Sequence, residues 1–570
     1  MSLASRLALP LLLLAAFGCR EPQGPPPPEP LPDATLVYDG RIYLGAPDWR
    51  AVDALLVHDG RVVAAGGVKR LEAMAQGKSL RTLKLGGAVA LPGLQDAHGH
   101  LEGLGAALES VDLRGVASYD ALIDLVAAQA ARQPPGTWVE GRGWDQNLWP
   151  DPAFPDHAAL SARVPDHPVL LTRVDGHAAL VNAAALHVAG LDGEGVAEDV
   201  VAGGRVLVDE RGRATGVLID AAVELVSGHL PAPSDAVRVR RILRAQERLL
   251  AVGLTAVHDM GVDLATVLLL EQLRAEGRLR LRVVAYLSGN DRLTPQMLEG
   301  FPLPPDHGDV LAVAGVKLYA DGALGSRGAA LLEDYADDPG DRGLTLLTQE
   351  QLRDRLAVCA AAGMQPAIHA IGDRANRMVL DAIEEQERRT PAFAALRPRV
   401  EHAQVVAPAD WSRFAALGVV PSMQPTHCTS DMPWAPQRLG PGRLAGAYAW
   451  RRLAPDPAVL AFGSDFPVEA PDPLPGLWAA VTRRGTDGRP GPRGYPDADQ
   501  RLDLRAALGA FTAGAARAAH QEGRRGRLAP GYACDLTVLD MDPLTDGAEA
   551  LLHAHVSMTV INGEVVFARP

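Results

Sequence analysis

The chain has 570 residues, enough to bury a large core and to hold more than one domain. It carries 69 acidic against 55 basic side chains, a formal net charge of −14, which argues against a nucleic-acid partner, since that role needs a basic face. Apolar (47%) and charged (22%) fractions are ordinary, which excludes a disordered or fibrous chain and fits a soluble globular enzyme or binding protein.

The chain opens "MSLASRLALPLLLLAAFGC". Arg6 precedes an apolar run too short to span a bilayer, and Gly18 precedes Cys19. The pattern resembles a bacterial lipoprotein signal over residues 1–19, with Cys19 lipidated after cleavage, although Ala16 stands where such signals usually carry leucine. "REPQGPPPPEPLPD" then reads as a stiff, extended tether over residues 20–34. This places the body outside the cytoplasm, held to a membrane only by its lipid, in the periplasm or at the outer membrane. Arg20, rather than an aspartate, after Cys19 leans towards the outer membrane. The body's cysteines, Cys359, Cys428 and Cys534, are odd in number and form no C-x-x-C, so buried free thiols are expected.

Residues 35–68 alternate apolar and polar side chains around Asp39-Gly40 and Asp59-Gly60, which are hairpin signals. The tail repeats the pattern in "CDLTVLD" and in "VSMTVINGEVVFA" with its Asn562-Gly563. Residues 35–90 and 521–570 are therefore expected to form a small β-sandwich domain built from both chain ends.

Between them, residues 91–520 alternate short apolar runs with amphipathic stretches. The runs are "LPGLQDAHGH", "LTAVHDM", "LRLRVVAYL", "VAGVKLYA", "MQPAIHA", "RVEHAQ", "GVVPSMQP" and "VLAFGSD". Eight strand–helix units predict an α/β fold, a (β/α)8 TIM barrel. The gap after the first run is too long for one helix, so an insertion of about residues 110–235 is expected to lean over the barrel mouth.

Residues i and i+2 of a strand point to one side, so His98 and His100 can present two imidazoles to one metal. Lys317 falls on the fourth run, His369 and His402 end the fifth and sixth, and Asp465 ends the eighth. Each alone has an ordinary explanation: a hydrogen-bonded histidine, a salt-bridging lysine, a helix N-cap in "SDFP". Their joint placement on the C-terminal face of a barrel points to a metal site. His553 and His555 repeat the H-x-H spacing without that company and read as a surface or packing feature.

At these residues the chain resembles the amidohydrolase superfamily, in the branch called amidohydrolase family 3, from about residue 35 to the C-terminus. "GRGWDQNLW", "VDGHAALVN", "GVLIDAA", "KLYADGALGSRGA", "HAIGDRA", "MQPTHCTSDM", "FGSDFPVE" and "RGRLAPGYACDLTVLD" carry the likeness. Gln95, Ala323 and Gly328 depart from the usual pattern and put details of substrate contact in doubt. The resemblance implies two divalent ions, zinc first, with iron or manganese also fitting. His98, His100 and Asp465 would hold one ion and His369 and His402 the other, with Lys317, carboxylated by carbon dioxide, bridging them. Asp465 would act as general acid/base, and His177 or His427 would help polarise the carbonyl. Trp144, Asp145, His177, Arg327, His427 and Trp434 are the implied contacts to a small-molecule substrate. The implied reaction is hydrolysis of a non-peptide C–N bond in an amide, N-acyl, N-formyl or cyclic imide group. Two alternatives stay open: a one-metal deaminase or isomerase on the same fold, and a non-catalytic surface or regulatory lipoprotein. Six filled ligand positions argue against the second. The oligomeric state stays open, with a homodimer compatible.

Overall fold

The computed structural model describes residues 33–570 except 78, 175, 177, 199, 202, 203, 291, 292, 306–308, 492–494, 496 and 497. The lipoprotein signal, Cys19, most of the tether and His177 lie outside the described residues. The first strand begins at Asp33, inside the segment expected as tether.

Eight parallel strands form the central sheet in sequence order. They are Leu94–Gly99, Leu254–Val262, Arg282–Ser288, Leu311–Tyr319, Gln365–Ala370, Arg399–His402, Val420–Met423 and Ala461–Phe462, here barrel strands one to eight. Each falls within, or extends, one of the eight apolar runs. The sheet curls until strand eight meets strand one. There Gly99 and Phe466 form a parallel bridge, His100 N donates to Phe466 O at 2.9 Å, and Asp465 N donates to His98 O at 2.8 Å. A Cβ on Gly99 would sit 2.4 Å from the Phe466 ring, so only glycine lets the seam come this close. The result is a nearly closed, parallel eight-stranded barrel.

Helices cover the barrel where the sequence has apolar residues at helical spacing. Helix Asp235–Ala251 buries Ile242, Ala245, Leu249 and Leu250 before strand two. Helix Gln349–Ala362 starts at a Thr348–Gln351 capping box and ends at Gly363, whose φ is 68°. Strands three and four depart from the expected strand–helix alternation. Among the described residues their connection holds only the 3-10 turn Pro295–Leu298. Pro295, Pro302, Pro304 and Pro305 remove the backbone donors that a helix there would need.

The two chain ends meet in one mixed sheet. Strands Asp33–Tyr43, Ala51–His58, Arg61–Gly66, Ser79–Lys84 and Val89–Pro92 join Leu536–Leu539, Val556–Ile561 and Glu564–Ala568. Asp39, Asp59 and Asn562 have φ of 65°, 47° and 53°, the left-handed backbone that Asp and Asn tolerate in tight turns. The long segment after strand one forms its own six-stranded sheet: Val111–Asp112, Val139–Trp144, Val169–Arg173, Ala178–Val181, Gly204–Val208 and Ala214–Asp220. Cys359, Cys428 and Cys534 are free and buried. Among the described residues, no helix is long and apolar enough to cross a membrane.

Candidate metal centre

Barrel strands one, four, five, six and eight bring the expected residues to the same end of the barrel. His98 Nε2 lies 3.1 Å from Lys317 Nζ and 3.4 Å from Asp465 Oδ1. His100 Nε2 lies 3.1 Å from the same Asp465 oxygen. The His98 and His402 rings are 4.8 Å apart, and those of His369 and His402 are 4.6 Å apart. His402 and Asp465 have φ of 71° and 60°, a strained backbone for such residues that tends to persist at functional sites.

Three imidazoles are held from behind. His98 Nδ1 faces Glu401 Oε2 at 2.7 Å, His100 Nδ1 faces Met260 O at 2.9 Å, and His402 Nδ1 faces Gln424 Oε1 at 2.8 Å. All three partners are acceptors, so each Nδ1–H donates and each Nε2 is the atom turned to the centre, that of His100 towards the Asp465 carboxylate. Burial pushes His98 down to about 4, with the Lys317 charge adding to the effect. Burial, then the charge of His369, holds His402 well below the usual histidine range. Burial alone would raise Asp465, but His98, His100 and His402 keep it well below the carboxylate range. Neutral imidazoles around an ionised carboxylate are what a divalent cation needs. Two sets of ligand atoms each lie within 4.8 Å of one another: His98, His100 and Asp465, and His402, His427 and Asp465. This donor set fits a metal centre.

The second set differs from expectation. His369 sits beside His402, but its Nε2 turns towards Gly322 O and Asp321 Oδ1, each 3.4 Å away. His427, expected at the substrate, is the residue grouped with His402 and Asp465: its Nε2 is buried without a hydrogen-bond partner among the described residues, 3.9 Å from Asp465 Oδ2. Lys317 Nζ is buried over the Tyr319 ring at 4.8 Å. Burial brings it down to about 8, against the pull of Glu401 and Asp465.

Of the other expected substrate contacts, the four among the described residues are each in contact with protein groups. Trp144 is 0% exposed in the insertion's core, where it stacks on Trp149 at 5.9 Å and donates Nε1–H to Leu171 O at 2.7 Å. A wholly buried, hydrogen-bonded indole offers no face to a substrate, so Trp144 is a core residue here. Asp145 pairs with Arg173 at 2.6 Å. Arg327 pairs with Asp337 at 3.1 Å. Trp434 packs its ring against Gly325, in the same loop as Arg327.

Several residues at the centre escaped the sequence reading. Arg399 donates to Glu401 Oε1 at 2.8 Å and Oε2 at 3.1 Å, to Ala97 O at 2.7 Å and to Ser422 Oγ at 2.9 Å. Burial would raise Glu401, but Arg399 and then His98 hold it far below the carboxylate range. Asp96 accepts from His98 N at 3.0 Å and from Ser464 Oγ at 2.7 Å, which pins strand one to the Asp465 loop. The visible signal was charge inside otherwise apolar strands, in "RVEH" and "LQDAHGH".

Barrel, seam and ligand sets together define the class: a metal-dependent hydrolase scaffold with its centre at the strand ends. The family model described as the amidohydrolase family matches residues 81–567, and the chain belongs to that family. YtcJ of Bacillus subtilis (strain 168) is 32% identical, over 94% of this chain and 99% of its own. The N-substituted formamide deformylase of Arthrobacter pascens is 26% identical, over 91% of this chain and 97% of its own. An uncharacterised metal-dependent hydrolase from Pyrococcus horikoshii OT3, solved as a crystal structure, is 32% identical with a TM-score of 0.73, covering 90% of this chain and 98% of its own.

Proposed function

We propose that the protein hydrolyses a non-peptide C–N bond in a small molecule carrying an amide, N-acyl, N-formyl or cyclic imide group. The observation that carries this reading is Asp465, one ionised carboxylate shared by two sets of metal-capable ligands. The similarity to an N-substituted formamide deformylase favours the N-formyl member of that class.

His98, His100 and Asp465 would hold one ion, and His402 with His427 the other, with zinc the best match to the imidazoles and iron or manganese compatible. When bound there, a divalent metal lowers the pKa of water to about 7 and polarises a carbonyl group. Lys317, its ammonium disfavoured by burial, would react as the neutral amine with carbon dioxide, releasing one proton and becoming an anionic carbamate that could serve as a further ligand. Asp465 takes a proton from the attacking water and returns it to the leaving nitrogen. Glu401, Gln424 and the Met260 carbonyl keep three imidazoles aimed at the centre throughout. The first test is an assay of N-substituted formamides and N-acyl amino acids against the purified protein with and without chelator. Turnover that chelator abolishes and zinc restores supports the reading; a zinc-reconstituted protein inert on these two classes and on simple amides and cyclic imides overturns it.

We further propose that residues 1–19 direct export and that Cys19 is lipidated, because a short apolar run ends at Gly18-Cys19 ahead of a proline-rich tether. Substituting Cys19 by alanine should then move the protein from membrane to soluble fractions; unchanged fractionation would contradict it.

A further inference from the structure

The segment after strand seven carries a further acidic side chain to the metal-centre end of the barrel. His427 lies in helix Pro425–Ser430 and turns its Nε2 towards Asp465. Asp431 follows four residues later. Its N–H donates to the His427 carbonyl at 3.0 Å, so the helical turn continues and the two side chains share a face. Four residues rise about 6 Å along a helix, which sets Asp431 one turn along from His427.

One oxygen of this carboxylate is fixed. Asp431 Oδ2 accepts from Gln404 Nε2 at 3.0 Å and from the Tyr448 hydroxyl, and Gln404 Nε2 also reaches the Tyr448 oxygen at 2.7 Å. Gln404 and Tyr448 are 4% and 2% exposed, so the anchor is well held. Gln404 stands two residues past His402, just beyond the end of strand six, which keeps the anchor beside the second ligand set. The other oxygen is open: Asp431 is half-buried, and its Oδ1 has no partner among the described residues and is not sealed from solvent. Both groups on Oδ2 are neutral. Arg438, further along the same segment, and Arg327 are both held by Asp337 instead. Burial pushes the Asp431 pKa up to about 7, against the pull of His427. A recessed carboxylate without a counter-charge is costly, and a cationic ligand group would offset that cost.

We propose that Asp431 Oδ1 is a specificity contact, binding a protonated amine carried on the nitrogen side of the substrate. The inference rests on the hydrolase reading, which seats the scissile group between the ligand sets beside His427. The helical rise then places the amine about 6 Å from that group, roughly the span of a four-carbon chain. Preferred substrates are N-formyl or N-acyl derivatives of diamines rather than of simple alkylamines. Because Gln404 and Tyr448 hold Oδ2, the ammonium meets an acceptor already in place.

Two isosteric probes test this on the zinc-reconstituted full chain: N-(4-aminobutyl)formamide, with a terminal ammonium, and N-pentylformamide, with a methyl group in its place. Wild type should favour the aminobutyl compound about 10–100-fold in kcat/KM, the worth of one charge-assisted hydrogen bond. Asp431→Asn keeps an oxygen for Gln404 and Tyr448 but loses the charge, and should bring the two probes within about threefold of each other. Equal kcat/KM in wild type, or an undiminished preference in the folded variant, would overturn the contact. Turnover of neither probe would count against the hydrolase reading alone, and calorimetric binding of the same probes then decides the contact. Wild type should bind the aminobutyl compound at least about 10-fold more tightly, and equal binding or none would overturn it. Should Asp431→Asn fail to fold, the wild-type ratio decides, since a value near one overturns the contact without any variant.

Discussion

Glu401 Oε2 lies 2.7 Å from His98 Nδ1, with both side chains wholly buried. The contact makes a carboxylate outside both candidate ligand sets fix the tautomer of an imidazole inside one. Arg399 keeps Glu401 charged through two hydrogen bonds from the neighbouring position on the same strand face. The floor of the centre is therefore an Arg399–Glu401–His98 chain, and the ligand at its top is neutral at Nε2.

Substituting Glu401 by glutamine should weaken metal binding about 10–100-fold, because Gln offers a weaker acceptor to His98 and leaves Arg399 less well paired. Competition with a fluorescent zinc chelator measures this. Unchanged zinc affinity in a folded variant would sink the role given to Glu401.

Asp465→Asn should lower both metal content and turnover, the latter by at least ~10²-fold, because one carboxylate serves both ligand sets and the proton transfer. The check is kcat on any substrate found, with metal content measured on the same sample. Full metal content with full activity would rule Asp465 out of both roles.

Trp144→Ala should act on stability, costing about 3–5 kcal/mol through the cavity it leaves and the freed Leu171 carbonyl. Below the variant's melting temperature, KM should stay within about twofold of wild type. A large rise in KM with stability intact would return Trp144 to the substrate.

Burial would raise the Asp535 pKa, but Arg282 outweighs it and holds the group below its unfolded value of 3.8. A depressed folded pKa stabilises the fold fully above the unfolded value, and this contribution fades as pH falls through the folded one. Stability of the wild type should therefore drop below about pH 4. Asp535→Asn should lose about 3–5 kcal/mol at neutral pH by stranding Arg282, and should show a shallower acid-induced decline. Parallel wild-type and variant curves below pH 4 would contradict this.

The barrel was legible because its strands are buried on both faces and so read as short apolar runs, from "LTAVHDM" to "VLAFGSD". His98, His100, Lys317, His369, His402 and Asp465 stood out because each interrupts or ends such a run. The residues behind them did not. Arg399 and Glu401 look like surface charge in a sequence, and only the closed barrel shows that both are 0% exposed. His427 was legible as a site residue but not as a partner of His402 and Asp465, since it lies two residues past the seventh run, in the short helix Pro425–Ser430. Trp144 misled for the opposite reason: an aromatic beside Gly and Asp looks the same in a motif whether it faces a ligand or a core. The missing helix between strands three and four was visible in four prolines, but the barrel pattern outweighed them.

The most direct test of the central claim is the metal content of the body, expressed without residues 1–19 in medium with zinc and bicarbonate, beside a Lys317→Ala variant. The centre described above predicts about two zinc ions per wild-type chain, one from each ligand set, and a clear fall when Lys317 is lost. No bound metal in the wild type after reconstitution would contradict it.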